Sequence, residues 1–100
     1  MNRQTNLKEI EALITRSKAI LKNKFKVKDI GIFGSYVREE QTETSDLDVL
    51  VEFGERVGFF KFLELEEYLQ ELLKVKVDLV SKKALKPRIG KNILKEVIML

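Results

Sequence analysis

Apolar residues recur at helical spacing from residue 6 to about residue 24, where Leu7, Ile10, Leu13, Ile14, Ser17 and Leu21 share one face. Asn6 and Glu9 stand three apart, as an N-cap and its reciprocal partner do, so one amphipathic helix is predicted. A lysine-rich turn, KNKFKVK, separates it from DIGIFGS, a short apolar run ending in Gly34 and Ser35. That run predicts a buried strand, followed by a short helix over residues 35–40. Beyond the polar stretch QTETS the pattern becomes strict alternation in DLDVLVEF. It places Leu47, Val49, Val51 and Phe53 on one face of a strand and Asp46, Asp48, Leu50 and Glu52 on the other. Residues 54–58 read as a loop, and Phe59, Phe62, Leu65, Leu69, Leu72 and Leu73 as a second long helix. VKVDLVS predicts a third strand, and Ile89, Ile93, Leu94, Val97 and Ile98, with Pro87 in the first turn, a closing helix. Helices alternating with strands predict an α/β fold. The expectation is a small mixed three-stranded sheet flanked by about four helices, in one domain over residues 1–100.

Composition narrows the chemistry. The chain has no cysteine and no histidine, which removes disulfides, thiolate metal sites, thiol nucleophiles and the commonest general base. Catalysis therefore has to run on carboxylates and oxygen-bound metals. No apolar run approaches the roughly 20 residues that span a bilayer, and the polar opening, residues 1–18, is unlike a signal peptide. The expected location is the cytoplasm, with no membrane partner. Residues 74–100 carry eight basic and two acidic side chains, about +6, against about −3 for the rest. Such a basic tail suits a nucleic acid, a nucleotide's phosphates, an acidic protein surface or merely solvent. The lysines lack an aromatic platform or a recognisable reading helix, so nucleic acid is the least favoured partner.

The alternation in DLDVLVEF projects Asp46 and Asp48 the same way, about 6.5 Å apart at Cα, so their carboxylates can converge on one cation. So few protein ligands suit Mg²⁺, which takes its remaining ligands from water and substrate phosphates. A strand turning through Gly34 and Ser35 into a helix start exposes backbone N–H groups to a phosphate, and glycine permits close approach. The Ser35 hydroxyl can add a hydrogen bond, and Arg38, one turn on, can reach the phosphate oxygens or the leaving group. Asp78, on the third strand, could complete the metal site from next door. Gly-Ser, ten residues, then Asp-x-Asp opening a strand makes one coherent site for a triphosphate and its metal.

At these residues the chain resembles the minimal nucleotidyltransferase family, small members of the DNA polymerase beta-like nucleotidyltransferase superfamily. IGIFGSYVREEQTETSDLDVLVEF is similar to the family signature and its flanking strands, and the resemblance extends through VDLV to the last helix. It implies the nucleotidyltransferase fold, with Gly34 and Ser35 as the phosphate-binding pair, Asp46 and Asp48 as the metal pair and Asp78 as the third carboxylate. It also implies ATP as substrate, two Mg²⁺ ions, and an antitoxin that adenylylates a hydroxyl, a tyrosine's in some members, on a HEPN-type toxin encoded beside it. A degenerate transferase that neutralises its toxin by contact alone is the alternative. The small chain leaves no second domain for an acceptor, and a homo- or hetero-oligomer is compatible with it. One departure stands out: family members usually follow the arginine at position 38 with glycine, and here Glu39 occurs. A carboxylate pointing inward there would weaken ATP binding.

Overall fold

The computed structural model describes residues 6–100; the first five residues of the polar opening lie outside the described residues. The elements in chain order are α1 (Leu7–Arg16), α2 (Lys18–Phe25), β1 (Val27–Phe33), β2 (Leu47–Phe53), α3 (Phe59–Leu73) and β3 (Val77–Ser81). A 3₁₀ turn (Lys82–Ala84), α4 (Pro87–Glu96) and β4 (Ile98–Met99) complete them. The sheet has four strands in the order β3-β2-β1-β4, one more than the periodicity predicts. β1 runs antiparallel to both β2 and β4, while β2 and β3 are parallel, joined through α3. This is the expected mixed α/β class.

The predicted first helix is two. α1 ends at Ser17, whose N–H donates to the carbonyls of Leu13 and Ile14, and α2 starts on the next residue. Asn6 caps α1 as expected, its side chain accepting the Glu9 N–H at 2.9 Å. The lysine-rich turn is also shorter than predicted, because α2 runs through Phe25, buried at 1% exposure with its ring 5.2 Å from that of Tyr68. Lys26, left-handed at φ 60, ends that helix and passes the chain into β1.

One face of the sheet carries the core. Ile30 and Ile32 from β1, Leu47, Val49 and Val51 from β2, and Val77 and Leu79 from β3 meet the apolar faces of the first three helices. Those helices contribute Ile10, Ile14, Leu21, Phe25, Leu65, Leu69 and Leu73. On the opposite face Leu50 is also buried, in a cleft with Leu94 of α4 and Met99 of β4. The face expected to be outward is thus partly roofed by the C-terminal segment.

That segment departs from the single closing helix predicted. α4 stops at Glu96, Val97 is its extended C-cap, and Ile98 and Met99 pair with Ile32 and Gly31. Gly31 makes the pairing feasible, since a Cβ there would stand 2.7 Å from Met99 Sδ and 2.8 Å from Val97 Cγ2. A run as short as Val97-Ile98-Met99 has no periodicity that distinguishes strand from helix. At the other edge of the sheet, β3 turns its free N–H groups toward α3. Val77 N–H donates to Gln70 Oε1 at 3.0 Å and Leu79 N–H to Glu66 Oε2 at 3.2 Å.

Candidate active site

The predicted site residues gather where β1 ends and β2 and β3 begin. Phe33 pairs with Asp48 across the antiparallel ladder, and Asp48 pairs with Asp78 across the parallel one. Gly34, Asp48 and Asp78 therefore lie side by side over three adjacent strands. Gly34 is buried at φ 84, a conformation that side chains disfavour, and a Cβ on it would land on the Asp48 carboxylate. Glycine is required here twice over, by backbone conformation and by space.

Residues 35–40 do not form the predicted helix. The Val37 and Arg38 N–H groups both donate to Gly34 O, at 3.1 and 3.2 Å, and Glu40 N–H donates to Ser35 O at 2.9 Å. Glu39, at φ 59, breaks the turn before a second one can form. There is consequently no macrodipole of a full helix here, and any anion is held by individual N–H groups and side chains. Glu39 is exposed, and its positive φ is a backbone conformation that glycine would adopt with less strain.

Asp48 is half-buried, whereas Asp46 and Asp78 are exposed. Burial, then the neighbouring charges of Asp78 and Asp46, push the Asp48 carboxyl up to about 6, and the Arg38 charge partly opposes them. Burial and then the Asp46 charge also raise the Tyr36 hydroxyl above its ordinary value. Converging carboxylates that destabilise one another as anions are what a divalent cation relieves. Among the described residues no group of three or more His, Cys, Asp or Glu is gathered closely enough to enclose an ion. An all-oxygen, half-open pair fits Mg²⁺, which binds through one or two carboxylates and keeps positions for water and phosphate.

Arg38 is near enough to act on Asp48, but its guanidinium is bound elsewhere. Nε donates to Glu40 Oε1 at 2.9 Å, and Nη1 donates to both carboxylate oxygens of Glu96 at 3.0 Å. Glu96 Oε1 also accepts the Gly34 N–H at 2.9 Å. Ser35, half-buried, sits beside this contact in sequence without a side-chain bond to it among the described residues.

A family model described as the nucleotidyltransferase domain matches residues 14–100. The chain belongs to the nucleotidyltransferase family. This nucleotidyltransferase is 52% identical over 92 residues to the protein adenylyltransferase MntA of Thermococcus cleftensis, covering 92% of its own length and 93% of the relative's. It superposes with a TM-score of 0.75 on a solved minimal nucleotidyltransferase, at 38% identity over 91% of this chain and 95% of that one. A second solved structure, a tyrosine-to-alanine variant of the toxin-antitoxin complex MntA-HpeT, is 26% identical with a TM-score of 0.67, over 97% of this chain and 72% of that one.

Sequence reasoning missed Glu96. Its signal is faint but physical: it is the one acidic residue between Asp78 and the last residue of the sequence, in an otherwise basic stretch. It also closes a helix at the end where a negative charge is unfavourable.

Proposed function

We propose that this nucleotidyltransferase is the antitoxin of a HEPN-type toxin and transfers AMP from ATP to a hydroxyl, a tyrosine's, on that toxin. The observation that carries the reading is the alignment of Gly34, Asp48 and Asp78 across three neighbouring strands, a phosphate-approach point beside a pair of carboxylates. The resemblance to a protein adenylyltransferase and to a toxin-antitoxin complex supports the acceptor class.

In this reading Gly34 lets the triphosphate come close to the backbone, and Ser35 and Arg38 hold its oxygens. Asp46 and Asp48, at the start of β2, would hold the nucleotide's metal. Asp78 orients the acceptor hydroxyl and takes its proton as the oxygen attacks the α-phosphorus. The new bond is from that oxygen to the α-phosphorus; the bond broken joins the α-phosphorus to the bridging oxygen, and pyrophosphate departs with it. Mg²⁺, as one ion or two, would supply charge neutralisation on the phosphates and a lowered pKa for the hydroxyl. The protein's own contribution is positioning and electrostatics, without a covalent intermediate.

The test is to incubate the protein with Mg²⁺, each nucleoside triphosphate in turn and the product of the neighbouring gene, then to weigh both proteins intact. The expected result is a toxin heavier by whole AMP units with ATP, and no addition when Mg²⁺ is chelated. A toxin neutralised with unchanged mass would overturn transfer in favour of neutralisation by contact.

A further inference from the structure

The carboxylate of Glu96 occupies two donors that a phosphate in the proposed site would use. Its Oε1 accepts the Gly34 N–H at 2.9 Å, and both oxygens accept Arg38 Nη1 at 3.0 Å. These bonds join residues 62 and 58 positions apart in sequence, so they are made by the fold and not by local geometry. The local helix does not favour Glu96 at this position, because a carboxylate in the last turn opposes the helix dipole. A carboxylate and a phosphate offer these donors the same thing: two oxygens and a negative charge.

We infer that Glu96 is an internal stand-in for the nucleotide's phosphate, capping the Gly34 N–H and Arg38 until a triphosphate displaces it. The inference rests on the nucleotidyl-transfer reading above. A phosphate and the Glu96 carboxylate would compete for the same Gly34 N–H and Arg38 Nη1 donors, with charge repulsion added, so capping and loading oppose each other. Exchange is feasible because neither partner is sealed in: the Arg38 and Glu96 side chains are 48% and 29% exposed. Arg38 also keeps its Glu40 contact through Nε, which holds the guanidinium near the site after Glu96 leaves. Apparent affinity for the nucleotide is then the intrinsic affinity reduced by the fraction of molecules that are uncapped. Displacement also reaches the end of the chain, since Val97 and β4 follow Glu96 directly.

The test compares wild type with Glu96→Gln by calorimetry, using Mg²⁺·ATP, inorganic triphosphate and adenosine as separate probes. A site capped about nine-tenths of the time predicts that ATP and triphosphate both bind about tenfold more tightly to the variant, with adenosine unchanged. Glu96→Asp, too short to reach both donors, should tighten binding in the same direction and serves if the glutamine variant does not fold. A folded variant that binds ATP no better than wild type, or worse, would overturn the inference while leaving nucleotidyl transfer intact. That outcome is what a purely structural Glu96 predicts. Absence of ATP binding by every form would instead overturn the transfer reading itself, and this inference with it.

Discussion

The space that a side chain at Gly34 would need is filled by the carboxylate of Asp48. The last residue before the turn and the second aspartate of the Asp-x-Asp pair are thus a matched unit, set in register by the pairing of Phe33 with Asp48. Gly34→Ala should damage both members at once, through a positive φ that costs about 1–2 kcal/mol for any side chain and through displacement of Asp48. The expected outcome is a lower melting temperature together with lost transfer, read by circular dichroism and by intact mass. A variant of wild-type stability would show that the turn can rearrange.

Asp48→Asn is expected to lower transfer by orders of magnitude and yet to stabilise the metal-free protein near neutral pH. The folded-state pKa of about 6 lies above the ordinary 3.8, so this carboxyl's contribution to stability is full below about pH 4 and is lost as pH rises through about 6. The site is half open, and screening keeps the gain under about 1 kcal/mol. Thermal melts of both proteins from pH 4 to pH 8, without divalent metal, should diverge only toward the upper end. Curves that stay parallel would remove the crowding of carboxylates as a cause.

Asp78 pairs with Asp48 from the neighbouring strand but is exposed, as the acceptor-orienting role proposed for it requires. Asp78→Asn should retain much of the ATP affinity and lose transfer, as expected of an interaction used mainly in the transition state. Calorimetry and single-turnover labelling separate the two effects. Equal losses in both would make Asp78 a nucleotide-binding residue and no more.

Glu39→Gly should stabilise the fold by about 1 kcal/mol, because it relieves a left-handed residue at φ 59. The sequence suggests a charge effect on ATP at this position. An exposed, solvent-screened carboxylate predicts a change in ATP affinity of less than about threefold. Chemical denaturation tests the first statement and calorimetry the second. A large gain in affinity would place the carboxylate inside the phosphate site.

Much of this architecture is legible in the sequence because it rests on patterns that burial enforces. The alternation from Leu47 to Phe53, the stripe from Phe59 to Leu73 and the Asp46, Asp48 and Asp78 carboxylates at strand starts all follow from which face must be dry. Other features depend on tertiary circumstances that no local pattern encodes. The break at Ser17 and the collapse of residues 35–40 into turns are set by backbone torsions at single residues. β4 is two residues long and exists because Gly31 leaves room for it. The role of Glu96 in tying down Gly34 and Arg38 requires knowing that the end of α4 returns to the end of β1.

The Gln70 and Glu66 side chains that accept the N–H groups of β3 also bear on how the protein behaves when crowded. A bare outer strand is a template on which another chain can polymerise, and natural sheets suppress this by blocking its donors. Here α3 supplies the block from within the same molecule, so the sheet cannot extend past β3 without first breaking two of its own hydrogen bonds. Growth is discouraged on the side nearest the Asp48 and Asp78 carboxylates, and the strand that bears Asp78, held in register by β2, needs no second strand on its outer edge. Replacing Gln70 and Glu66 together with leucine would leave the helix stripe apolar and the strand uncapped. Such a chain is expected to fold, and then to precipitate in a concentration-dependent way.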